Sequence, residues 1–153
     1  MFTACQRHYD RAASWLAGTL PESVMLLFVR IALAGVFWRS GRSKLDEGSW
    51  FTISDMSYEL FRTEYAGVPL PPDLAAVAAT GAEHLFPALL VLGLFTRLSA
   101  FALLAMTMVI QIFVYPEAWW PVHALWVALA LVLIVRGGGL FSIDTPFAKK
   151  VRR

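Results

Sequence analysis

Four stretches of the chain are apolar for long enough to cross a bilayer, and each is bounded by charge, proline or glycine. A hydrocarbon core of about 30 Å takes about 20 helical residues. Lipid offers no partner to open backbone, so a crossing stretch must be helical. The first span covers about 23–38, VMLLFVRIALAGVFW, interrupted only by Arg30. Pro21 and Glu22 suit its first turn, where proline loses nothing and a carboxylate faces the positive helix end. Arg39, Gly41, Arg42 and Lys44 close it. The second span, about 74–95, carries Glu83, His84 and Pro87 in its middle. Thr96 and Arg97 make a tight corner into the third, about 97–115. Pro116 and Glu117 break that helix, and the fourth runs from about 121 to 136 before three glycines. Short connections between spans predict an all-α, antiparallel four-transmembrane-helix bundle.

The segments between spans are different in kind. Residues 1–20 put Arg7 and Arg11 on one helical face and Tyr9, Ala12, Ala13 and Leu16 on another, which fits either an interfacial helix or a solvated tail. No short apolar run followed by a small-residue cleavage site is present there, so a cleaved signal peptide is not expected. In the first outer loop, Trp50, Ile53, Met56, Leu60 and Phe61 recur at spacings of three and four with acids between them. That pattern predicts an extra amphipathic helix over about 49–65, at the interface or against the bundle mouth. Gly67 to Pro72 stop it, and Asp73 is placed to cap the next span. Tyr115, Trp119 and Trp120 sit where an aromatic belt belongs, and 146–153 form a basic tail.

Composition agrees. Only 16% of the 153 residues are charged and mean hydropathy is +0.61, whereas soluble domains carry about 25% charge. No basic stripe interleaved with aromatics is present, which removes nucleic acid as a partner. The single cysteine, Cys5, excludes an internal disulfide and any Cys-x-x-Cys site. With the N-terminus inside, the inner segments hold Arg7, Arg11, Arg97, Arg136, Lys149, Lys150, Arg152 and Arg153, and the outer ones Arg39, Arg42, Lys44 and Arg62. This excess of basic residues predicts a bacterial-type inner membrane protein with both termini in the cytoplasm.

Counted from the inner end at about 1.5 Å per residue, Glu83, His84, Gln111 and His123 fall at one level, roughly 18–21 Å, and Arg30 near roughly 10 Å. An intramembrane acid normally faces protein, and its partner is open: Arg30, Arg39 or Lys44. Side chains lean toward their own helix N-terminus, which favours Arg39 over Arg30, with Lys44 a third candidate. Arg30 either snorkels to the inner headgroups or is buried. Pro87 deprives the Glu83 carbonyl of its helical donor. Thr107, Gln111 and Tyr115 form a polar stripe on the third span, and Gly81, Ala88 and Ala100 permit close helix approach. His84, His123 and Glu83 have donors suited to a metal or haem between helices, and Met106 and Met108 carry thioethers that suit copper. Hydrogen bonding and packing account for the same residues without a cofactor.

The stretches RIALAGVFWRSGRSKL, with Arg30, Gly35, Phe37, Gly41 and Lys44, and EHLFPALLVLGLFTRLSAFALLAMTM, with Glu83, Gly93 and Arg97, resemble the DoxX family of small four-span membrane proteins. GGGLFSID, with Ser142 and Asp144, is similar too, so the likeness covers about 24–144. It implies association with membrane redox systems, such as a small subunit of a thiosulfate–quinone oxidoreductase, or with oxidative-stress complexes. Thiol chemistry used by some relatives does not carry over, because Cys5 lies outside the bundle. Three roles are therefore open. One is a non-catalytic accessory subunit, docked to a protein partner or a second copy. Another is a quinone-, haem- or copper-linked redox component using Glu83, His84 and His123. The last is a small-solute or metal-ion permease, which the lack of a broken-helix pair disfavours.

Overall fold

The computed structural model describes residues 2–145, with side chains from residue 6 onward. The side chain of Cys5 and the basic tail with Lys149, Lys150, Arg152 and Arg153 lie outside these. The helices are α1 (Phe2–Leu16), α2 (Thr19–Ser43), α3 (Asp55–Thr63), α4 (Pro72–Leu92), α5 (Thr96–Phe113) and α6 (Ala124–Arg136). A 3-10 turn (Pro116–Ala118) and a π turn (Trp119–His123) lead into α6. Four helical segments are long and apolar enough to cross a membrane: α2, α4, α5 and Pro116–Arg136. They close a ring in which α2 packs on α4, α4 on α5, α5 on α6 and α6 on α2. The all-α four-span bundle is the observed fold.

One stripe of α2 explains the packing. Leu26, Val29, Arg30, Leu33, Phe37 and Gly41 recur every three or four residues and are all buried. Phe28 and Ile31, on the other side, are exposed, as suits a surface meant for acyl chains. Leu33, Leu90, Leu103 and Leu133 fill the centre of the ring. Lipid is as apolar as leucine, so the ring is held by close packing and by its polar contacts, not by expulsion of water.

Several boundaries differ from the pattern. α2 does not stop near Trp38 but continues to Ser43, because Ser40, Gly41 and Lys44 prolong the buried stripe set by Phe37. The outer-loop helix is shorter than 49–65: α3 starts at Asp55, where Ser54 caps it by accepting the Ser57 amide. Residues before it fold back instead, pairing Leu45 with Ile53. Asp73 does not cap α4, whose N-cap is Pro71; its carboxylate takes Arg62 at 2.9 Å. α4 ends at Leu92 because Gly93, at φ +69°, adopts the left-handed geometry that glycine tolerates. α6 begins at Ala124, after the π turn that contains Pro121. α1 is helical, and its side chains from residue 6 onward are exposed.

Removing the Leu33 side chain should leave a cavity in the ring. Leu33→Ala is expected to cost about 2–5 kcal/mol, and Phe28→Ala, at an exposed site, under about 1 kcal/mol. Thermal unfolding in detergent micelles reads both; equal losses would contradict the assignment of inner and outer faces.

Candidate functional site

The buried carboxylate of the second span is the centre of the site. Glu83 sits in the middle of α4, and Lys44 caps the C-terminus of α2. The Lys44 ammonium lies 2.7 Å from Oε2 and 2.9 Å from Oε1 of Glu83. Ser40 Oγ donates to Oε1 at 3.0 Å and accepts from Lys44 at 2.9 Å, so the three groups form a closed triangle. Lys44 and Glu83 are only 7% and 2% exposed. Gly41 makes the approach possible: a Cβ there would lie 2.8 Å from His84 Cε1 and 3.0 Å from Glu83 Cβ. The Lys44 carbonyl in turn accepts from the Ser54 amide and the Ser57 hydroxyl, each at 3.0 Å, tying α3 to the same corner.

Both spanning histidines are held by neighbours. His84 Nδ1 is 2.7 Å from the Thr80 carbonyl of its own helix. A carbonyl only accepts, so Nδ1 carries the proton, and in the neutral ring Nε2 is left as an acceptor. That Nε2 is buried with no partner among the described residues, and the ring stands edge-on to Trp38. His123 Nδ1 is 2.7 Å from Gln111 Oε1, and Gln111 Nε2 donates to the Pro116 carbonyl, which fixes the amide orientation. The His123 ring packs on Trp126, which meets Phe37. The polar layer therefore divides into an α2–α4 group and an α5–α6 group, each with a tryptophan ring against its histidine.

Arg30 occupies the opposite end of the bundle. It is 1% exposed and donates to the carbonyls of Gly138 (2.8 Å), Phe141 (3.0 Å) and Val91 (3.1 Å). The cation thus meets the last turn of α4, where helix carbonyls lack partners and the dipole is negative. Gly93 yields the space, since a Cβ there would come within 2.7 Å of Arg30. Asp144 completes the knot: its two oxygens accept the amides of Phe95 and Thr96 at 2.8 Å each, capping α5. Arg30 is buried in protein and does not snorkel to the lipid headgroups.

The DoxX family model matches residues 25–116, from α2 to the end of α5. The chain belongs to the DoxX family. It is also 32% identical over 144 residues to a protein of Haemophilus influenzae described as an uncharacterized protein, covering 84% of this chain and 86% of that one. No solved structure matches the chain.

Several of the positions that carry the resemblance fall into these two groups. Gly41, Lys44 and Glu83 build the first, and Arg30, Gly93, Ser142 and Asp144 the second. Gly35 and Gly81 face open space and mediate no close approach. Arg39, the geometrically favoured partner for Glu83, is exposed and makes no such pair; Lys44 reaches the carboxylate because its helix runs on to Ser43. Among the described residues no group of three or more His, Cys, Asp or Glu side chains is placed to hold a metal ion, so His84, His123 and Glu83 do not form the donor set considered for them. The Arg30 knot went unforeseen, although its four members stood in the motif-bearing stretches.

At the mouth near α3, Tyr115 hydroxyl donates to Glu64, and Tyr115 meets Tyr65 edge to face. The hydrogen bond to Glu64, more than partial burial, pushes the Tyr115 phenol up to about 12. Burial first, then the charges of Tyr115, Glu83 and Glu64, pushes Tyr65 up to about 12. A phenol that holds its proton more tightly when folded stabilises fully below its unfolded value near 10 and loses that contribution as pH rises toward 12. Unfolding followed from pH 9 to 12 should show stability falling, and less steeply in Tyr115→Phe; an unchanged slope in that variant would contradict the contact. Lys44→Met strands a buried carboxylate and is expected to cost about 3–5 kcal/mol, against under about 0.5 kcal/mol for the exposed Arg39→Met. Equal thermal midpoints for the two variants would contradict the pairing.

Proposed function

We propose that this DoxX protein is an accessory subunit of a membrane redox or stress-response system. The observation that carries the reading is the closed Lys44–Ser40–Glu83 triangle: the intramembrane acid is spent on holding two spans together. An acid paired with a buried cation and a hydroxyl inside the bundle is already engaged in a structural contact. Docking falls to the α3 end, where Phe51 and Met56 are 94% and 82% exposed and Trp50 is exposed as well. Large apolar side chains displayed together at a bundle mouth suit a protein partner or a second copy. The lysine and arginine distribution supports insertion in the bacterial inner membrane with both termini cytoplasmic. α1, with its basic and apolar faces, then lies along the inner surface.

One observation favours a second reading, a quinol-linked component. The buried Nε2 of His84 is an unused acceptor one residue from Glu83, and a quinol hydroxyl is a donor of the right kind. Purification of the tagged chain in native lipid separates the two. The accessory reading expects a stoichiometric protein partner that is lost from the double variant Phe51→Ser, Met56→Ser while the fold persists. A partner-free preparation that retains quinone, and loses it in His84→Phe, would overturn it in favour of the quinol reading.

A further inference from the structure

Where α2 begins and α6 ends, a cavity of about 710 Å³ opens between the α4–α5 corner and the glycine turn after α6. Its size is that of a small-molecule site. Four charged residues line it, and three are already committed. Glu22 pairs with Arg136, and Asp144 accepts the Phe95 and Thr96 amides that begin α5. The helix N-terminus is thus occupied and is not what recommends the site. Arg97 has no hydrogen-bond or ionic partner among the described residues, and its guanidinium extends over Gly137, with Nε 3.4 Å from where a Cβ would sit. Its neighbour Thr96, 1% exposed, also lines the cavity, and its hydroxyl is buried without a partner. Phe95 and Leu98, each 60% exposed, flank them.

An unpaired cation beside exposed apolar side chains, in a cavity at the end of spanning helices, matches one class of ligand. We propose that this cavity binds the headgroup of an anionic glycerophospholipid. Arg97 takes the phosphate, and Phe95 and Leu98 meet the adjoining acyl chain. Basic pockets between helix ends are the recurrent form of such sites. Glu22 offsets Arg136 and Asp144 offsets the buried Arg30, which leaves the Arg97 charge to select anionic over zwitterionic lipid. The site does not depend on the accessory role proposed above.

The test uses the full chain in detergent, titrated with phosphatidylglycerol or phosphatidylcholine and followed by native mass spectrometry. Phosphatidylglycerol is expected to be retained in preference. Arg97→Gln should weaken its binding about fivefold, the effect of one juxtamembrane basic residue. Arg97→Lys should keep most of it, and Arg39→Gln, a free arginine at the other end of the bundle, all of it. Arg97 is exposed, so the fold of these variants is checked simply by thermal unfolding. Equal retention of the two lipids, or wild-type binding by Arg97→Gln, would overturn the proposal. Displacement of the lipid by millimolar inorganic phosphate would assign the cavity to a soluble phosphate ligand and overturn it as well.

Discussion

An ammonium and a carboxylate 2.7 Å apart, inside a ring of helices that otherwise offers only apolar contact, decide how α2 and α4 fit together. Neither charge tolerates lipid alone. Burying the two together still costs desolvation, so their value lies less in added stability than in excluding arrangements that separate them. A helix pair sliding by one turn, about 5.4 Å, would open the contact completely. Ser40 and Gly41 belong to the same device: one adds a further donor to the carboxylate, the other lets the helices come close enough for the lysine to reach.

The opposite end repeats the principle with a different cation. Arg30 gathers carbonyls from the last turn of α4 and from the chain after α6, while Asp144 gathers the first amides of α5. Three helix ends are joined there through backbone groups that lipid could not satisfy. Arg30, Lys44, Glu83 and Asp144 therefore act as fasteners at the two ends of the bundle. Among the described residues, the groups left without a partner include His84 Nε2 in the upper layer and Arg97 at the lower cavity.

Much of this architecture was legible from hydropathy alone, because a span of about 20 apolar residues has a single backbone solution in lipid. The inward face of Glu83 followed from the same constraint. Its partner did not, because the run Arg39 to Lys44 reads as a polar terminus, although Phe37, Gly41 and Lys44 keep the i, i+4, i+7 spacing of one face. Depth counting put His84 and His123 at one height but carried no information on azimuth, and each ring turned to a nearby oxygen. Arg30 was hidden for a different reason: its acceptors are main-chain carbonyls 61 to 111 residues away, which no side-chain pattern announces.

The central claim is that Lys44 and Glu83 act as one structural unit. A double-mutant cycle over Lys44→Met and Glu83→Leu, read as unfolding free energy in a fixed micelle, tests it most directly. The account predicts strong non-additivity: the double variant, with two apolar groups facing each other, loses less than either single variant, and the coupling exceeds about 2 kcal/mol. Losses that simply add, with each variant independent of the other, would contradict it.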